Sequence, residues 1–329
     1  MARVEPFRAL RYDPKRVELA NVIAPPYDVV ARDERGTLYD RDPHNAVRLE
    51  LTRHVEEEAD TDYSEVRTIL DGWRKSGVLL RDSEPALYAL RQRFEAPDGS
   101  SVERDGFFAA LGLEDYTTRV VRPHERTLAG PKADRLRMMR ATRANLSPIF
   151  LLYEDRQQVL NEALHHAFDQ PGVQHATDVA GVTHSLAVLN DPEHIARISG
   201  YLADQAVVIA DGHHRYETAL AYRDEQRQQA GEVSGAAPYE STLVYLANAF
   251  APGTLLLPIH RVIKKGGAPM PELWKRCLPG WSSKEVSGAG AETMRDFLAE
   301  HLAPLAGKPA FVADDGSGTA RIFWRDEPL

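Results

Sequence analysis

Ala206-Val207-Val208-Ile209-Ala210-Asp211-Gly212-His213-His214-Arg215-Tyr216 decides how the chain is read. The apolar, β-branched run to Ala210 predicts a buried strand. After Gly212 the apolar spacing changes to threes and fours through Tyr216, Ala219, Leu220 and Arg223, which predicts that a helix starts at once. Asp211 to Arg215 therefore occupy a strand-to-helix turn, the basic unit of an α/β fold. Such a turn presents free backbone N–H groups and the positive end of the helix dipole, and its natural guest is an anion. Asp211 has an N-cap side chain and Gly212 permits close backbone approach. His213, His214 and Arg215 supply donors suited to phosphate.

With 329 residues the chain can bury a large core, as one large domain with appendages or as two domains. The longest apolar runs fall far short of the roughly 20 residues a spanning helix needs, and the first residues lack the apolar centre of a signal peptide. A soluble, cytoplasmic protein is expected, with no membrane partner. The single cysteine, Cys277, forms no internal disulfide and no cysteine metal cluster. Forty Lys and Arg against 49 Asp and Glu give a net charge of −9. That balance disfavours nucleic acid and points to small ligands. Monomer and homodimer are both left open.

Outward from the central turn, Pro25-Pro26 predicts a stiff extended turn that reads first as a rigid surface loop, with Tyr27 and Asp28 as candidates to line a site. Asn45 to Leu51 alternates as a strand, 62–80 reads as a helix stopped by Gly77, and Leu87 to Leu113 as a hairpin turning at Asp98-Gly99. Arg122 to Arg143 holds seven basic residues against two acids, with Arg137, Arg140 and Arg143 expected on one helical face. Pro148 to Tyr153, His184 to Leu189, Leu243 to Phe250 and Leu255 to Ile263 read as strands; Val159 to Phe168 and Asp191 to Tyr201 read as helices. His165 and His166 read as surface or helix-end residues. Gln226 to Pro238 reads as a polar loop and Gly266 to Pro271 as a linker, followed by a small α/β appendage. The expected division is 1–85, an N-terminal segment packed on the core; 86–265, the core; and 266–329, the appendage.

Three turns carry the chemistry: Pro123-His124-Glu125-Arg126-Thr127, Asp211 to Arg215, and Pro258-Ile259-His260-Arg261. If they converge, Glu125 accepts a proton, Asp211 holds Mg²⁺ or orients a neighbour, and His213, His214 and Arg215 cradle phosphoryl oxygens. The plain alternative is a capped helix with an exposed histidine pair, and for Glu125 a solvated ion pair. A zinc site from His124, His213, His214 and His260 is less favoured, since adjacent helical side chains diverge by about 100°.

Ile209 to Leu220, together with Val22-Ile23-Ala24-Pro25-Pro26-Tyr27-Asp28-Val29, Pro123 to Thr127, Asn145-Leu146-Ser147-Pro148-Ile149-Phe150 and His260-Arg261-Val262, resembles the group catalogued as domain of unknown function 1015. That group more distantly resembles the free L-serine kinases, which carry a Pro-His-Glu turn and then an Asp-Gly-His-His-Arg turn in the same order. The resemblance implies a mixed-sheet ParB/sulfiredoxin-like core with N- and C-terminal α/β extensions. It also implies a kinase using ATP or ADP with Mg²⁺ on free serine or a similar metabolite. Glu125, Asp211 and His213 would be catalytic, with Asp211 the metal ligand. Gly212, His214 and Arg215, helped by Thr127, Lys132 and Arg135, would hold the nucleotide; His260, Arg261, Tyr27 and Asp28 would face the acceptor. The interval between the two turns is longer here than in those kinases. A non-catalytic nucleotide or phosphometabolite sensor and a phosphatase are the competing readings.

Overall fold

The computed structural model describes residues 2–52, 62–96, 99–125, 127, 129–230, 237–255, 278–287, 294–314 and 319–327. The chain divides into two compact units, 1–256 and 257–329. In the first unit the strands are β1 (Val4–Glu5), β2 (Leu10–Tyr12), β3 (Leu79–Arg81), β4 (Leu87–Glu95), β5 (Ser101–Gly112), β6 (Val121–Arg122), β7 (Ile149–Tyr153), β8 (Gln174–Thr177), β9 (Thr183–Leu189), β10 (Val207–Asp211) and β11 (Ser241–Asn248). Its helices are α1 (Leu19–Val22), α2 (Arg32–Arg41), α3 (Val47–Glu50), α4 (Ser64–Lys75), α5 (Ala129–Thr142), α6 (Asn161–Phe168), α7 (Pro192–Ala203) and α8 (His213–Ala230). The fold is α/β.

One nine-stranded mixed sheet runs β6-β10-β7-β11-β5-β4-β9-β8, with β1 also paired to β5. β10 pairs parallel with β6 and β11 parallel with β7, while β10 and β7 run antiparallel. This arrangement brings four chain ends to one end of the sheet. β6 and β10 finish there, and β7 and β11 begin there. Residues that leave β6 at Pro123 and β10 at Gly212 are neighbours because parallel partners share their carboxyl ends, where open α/β sheets usually bind ligands.

The apolar alternation explains the core. Phe107, Ala109 and Leu111 of β5, Ile149 and Leu151 of β7, Val207 and Ile209 of β10 and Val244 and Leu246 of β11 all point inward. Tyr216 and Ala219 of α8 pack on them. The expected buried strand is buried on one face, through Val207 and Ile209, while Val208 is 37 % exposed, because β10 lies next to the short edge strand β6 with one face turned away from the core. A second cluster joins Val22, Leu49, Tyr63, Val66, Leu70 and Trp73 to Met138 of α5, and so fastens the N-terminal helices to the region beside the central turn.

Asn45 to Leu51, expected as a strand, forms α3. The buried Asn45 amide donates to the Asn21 carbonyl (2.7 Å), and its Oδ1 accepts from Val47 N–H (3.0 Å). Such local bonds offer the backbone an alternative to a strand ladder. The helix at 62–80 is shorter than expected and ends before Gly77, whose φ of +74° suits glycine. Gln226 to Ala230, expected as loop, belong to α8, and residues 231–236 lie outside the described residues. Arg143 lies beyond the end of α5 with φ +52°, so it does not share a helical face with Arg137 and Arg140.

The second unit holds a three-stranded antiparallel sheet of β12 (Ser282–Ser287), β14 (Thr319–Trp324) and β13 (Ala310–Asp314), in that order, with helix α9 (Met294–His301). Phe311 and Phe323 stack with centroids 5.0 Å apart, and Phe297, Ala320 and Ile322 are buried. The strand expected beyond Leu255, the linker from Gly266, His260, Arg261 and Cys277 lie outside the described residues. So does the expected boundary at 265. No described helix is long and apolar enough to cross a membrane.

Candidate functional site

Gly212 adopts φ +94°, and its carbonyl accepts from Tyr216 N–H (3.0 Å), which makes it the N-cap position of α8. Asp211 is therefore the last residue of β10 and does not cap the helix. Its carboxylate instead pairs with Arg215 one turn on, and Arg215 also donates to the Pro148 carbonyl at the start of β7. A Cβ on residue 212 would sit 3.0 Å from Arg215 Nε, so glycine serves both the backbone conformation and the approach of that guanidinium.

His213 opens α8 and is 2 % exposed. Its Nε2 accepts from the backbone N–H of His124 (3.2 Å), which leaves the proton of the neutral ring on Nδ1. That nitrogen lies 3.1 Å from Oε1 of Glu125, whose side chain is 55 % exposed. Burial, reinforced by the adjacent His124 ring, pushes the His213 imidazolium below the usual histidine range against the opposite pull of Glu125, Asp211 and Glu217. The ring is thus a neutral donor facing an exposed carboxylate. His124 donates from Nδ1 to the Ile209 carbonyl (2.6 Å), and the two imidazoles meet edge to face at 4.5 Å.

His124, Glu125 and His213 bring their ligand atoms within 4.8 Å of one another. A metal bound through His213 is nonetheless unfavourable. Nε2 is taken by a backbone N–H, and stripping Nδ1 of its proton would require an imidazolate.

Thr127 and Lys132 reach the same helix one turn further. Thr127 Oγ1 (2.7 Å) and Lys132 Nζ (2.8 Å) both donate to Glu217. Burial works against the Glu217 charge, but these two bonds outweigh it and hold the carboxyl below its usual range. Glu217 was missed from the sequence, although its place four residues after His213, on the same helical face, was the available signal.

Arg135 lies deeper. It pairs with Asp134 (2.7 Å) and with Glu50 (3.3 Å), and donates to Tyr63 Oη (3.2 Å). The Tyr27 ring lies 4.2 Å from its guanidinium carbon and 6.0 Å from that of Arg215, so the Pro-Pro-Tyr turn does reach the Asp211 turn. Asp28 is exposed beside it. Glu50, Asn145, Ser147, Arg135 and Arg215 line a small cleft here. Ser147 donates to Glu50 (2.6 Å), and Thr242, at the start of β11, donates to Asn145 (3.0 Å). Glu50 carried no signal in the sequence because its partners are remote in the chain.

The basic segment proves to be largely paired: Arg137 with Asp134 (3.1 Å) and Arg140 with Glu225 (3.0 Å). Arg126 is not among the described residues.

The geometry defines a polar site at the carboxyl ends of two parallel strands, built from the first turns of α8 and the loop after β6. A family model described as "Protein of unknown function (DUF1015)" matches residues 4–279, and the chain belongs to that family. No curated protein and no solved structure matches it. The more distant likeness to serine kinases therefore rests on the order of the two turns alone.

Proposed function

We propose that this end of the sheet is a phosphotransfer site that moves the terminal phosphate of ATP or ADP to the hydroxyl of free serine or a similar small metabolite. The observation that carries the reading is the 3.1 Å approach of Glu125 to His213 from turns 88 positions apart in the chain. An exposed carboxylate faced by a buried, uncharged ring is oriented without being neutralised, as a general base for a hydroxyl must be. The first-turn N–H groups of α8 have no intrahelical acceptor and, with His214, offer donors to phosphoryl oxygens.

The cations of the site are held by carboxylates, Arg215 by Asp211 and Lys132 by Glu217. Both are thereby pre-positioned, and an arriving phosphate competes with these carboxylates. Asp211, 53 % exposed with Arg215 on Oδ2, keeps Oδ1 for Mg²⁺, a hard cation suited to one carboxylate plus phosphate oxygens. Bound there, Mg²⁺ would neutralise phosphate charge. Tyr27 and Asp28, on the neighbouring turn, are placed to contact the acceptor.

The test is product formation. The untagged protein with Mg²⁺, either nucleotide and serine or a panel of small hydroxy-acids and alcohols is followed by ³¹P NMR. A new phosphomonoester supports the reading, whereas nucleotide binding without turnover assigns a sensor. Phosphate release from phosphoserine without nucleotide assigns a phosphatase.

A further inference from the structure

Helices α6 and α7 bring together a second cluster, built from residues the proposed phosphate site does not use. His166, near the end of α6, and Asp191 and His194, at the start of α7, place their ligand atoms within 4.8 Å of one another. The two imidazole centroids are 4.5 Å apart at an interplanar angle of 47°. Asp191 Oδ1 caps α7, accepting from Glu193 N–H (2.9 Å) and His194 N–H (3.0 Å), so the carboxylate is fixed with Oδ2 to spare.

The informative atom is His194 Nδ1. It is buried and has no hydrogen-bond partner, and it stands 3.6 Å from Asp191 Oδ1, too far for a hydrogen bond. Buried polar atoms are normally satisfied, and an unsatisfied nitrogen beside a second imidazole and a carboxylate is a place where an ion fits. Donors on a tetrahedral zinc lie roughly 3.4 Å apart, given arms of about 2.1 Å. The Asp191 carboxylate stands at about this range from Nδ1, 3.6 Å at its capping Oδ1, and one ligand atom from each of the three residues lies within 4.8 Å of the others. His166 is exposed, and its Nε2 lies 3.2 Å from the side-chain amide of Gln170. Glu162, one turn before His166 on α6, interacts electrostatically with His194 and is held by Arg197 (2.5 Å), which makes it a further carboxylate beside the cluster.

We propose that His166, Asp191 and His194 form a binding site for one divalent transition metal of the zinc class, which clasps α6 to α7. Two imidazoles and a carboxylate suit zinc or cobalt and not magnesium or calcium, which prefer oxygen. A water or Glu162 completes the four ligands.

The experiment uses the untagged full chain, stripped with chelator and titrated with Co²⁺ and then Zn²⁺. One Co²⁺ per chain, with the visible bands of a tetrahedral ion and displacement by Zn²⁺, is the expected result. His166→Gln and His194→Ala should each weaken binding by more than about a hundredfold, since even outer-shell partners of a metal are worth 10- to 100-fold. His166→Gln alters an exposed side chain and keeps the fold, so its result stands if His194→Ala fails to fold. His175→Gln, at an exposed histidine of β8, should leave binding unchanged. Absence of Co²⁺ uptake, or uptake unaffected by His166→Gln, or uptake lost in His175→Gln, would overturn the proposal.

Discussion

Truncating His213 should cost far more stability than truncating Glu125, although the two side chains touch. His213 is 2 % exposed and is the acceptor for the His124 backbone N–H. Removing the ring strips that donor of its partner, at about 1–3 kcal/mol, and leaves a small void worth about 1 kcal/mol more. His213→Ala should therefore destabilise the first unit by about 2–4 kcal/mol. Glu125 is more than half exposed and faces an uncharged ring, so Glu125→Ala should cost less than about 1 kcal/mol. In the double variant the Glu125 substitution should add nothing, because its partner is already gone. Amide exchange of peptides from β10 and α8 reads the opening free energy of this unit separately from residues 257–329. Equal costs for the two single variants would refute the assignment of His213 as the buried anchor, as would a cost for His213→Ala below that of Glu125→Ala.

The depressed His213 value has a sign in pH. Its neutral form is favoured by folding, so its contribution is complete above the unfolded value of about 6.5 and is lost as pH falls through the lower folded value. The stability difference between wild type and His213→Gln should shrink between pH 8 and pH 5, measured by urea unfolding; a constant difference would contradict the buried neutral ring. Gly212→Ala forces a side chain into φ +94° and against Arg215, and should cost at least about 1 kcal/mol and weaken nucleotide binding, read by thermal melting and calorimetry. Tyr63→Phe removes the hydroxyl that donates to buried Asp134 at 2.7 Å, and thermal melting should report a loss of about 1–3 kcal/mol.

The strand, the turn and the helix around Gly212 were legible because each follows from local chemistry: β-branched residues, a glycine able to take positive φ, and apolar spacing of three and four. The hairpin of β4 and β5 was legible for the same reason. What could not be read was pairing. That β6 runs parallel beside β10, and so delivers Glu125 to His213, is set by the sheet order and not by either segment. The same blindness hid Glu50 and Glu217, whose partners lie 85 positions away in Arg135 and Lys132. It also let Arg137 and Arg140 look like a free basic face when each is held by a carboxylate. Asn45 misled in the opposite way, since its side chain bonded the backbone locally and turned an alternating stretch into a helical turn.

The central claim is that Glu125 acts as a base on an acceptor whose phosphate donor sits at the α8 turn. Its most direct test compares wild type with Glu125→Gln in two readings on the same preparation, nucleotide Kd by calorimetry and phosphomonoester formation by ³¹P NMR. An unchanged Kd and a loss of turnover of at least about 100-fold, the scale of a general base, are the expected results. Turnover that survives in Glu125→Gln, or nucleotide binding that disappears with it, would contradict the account.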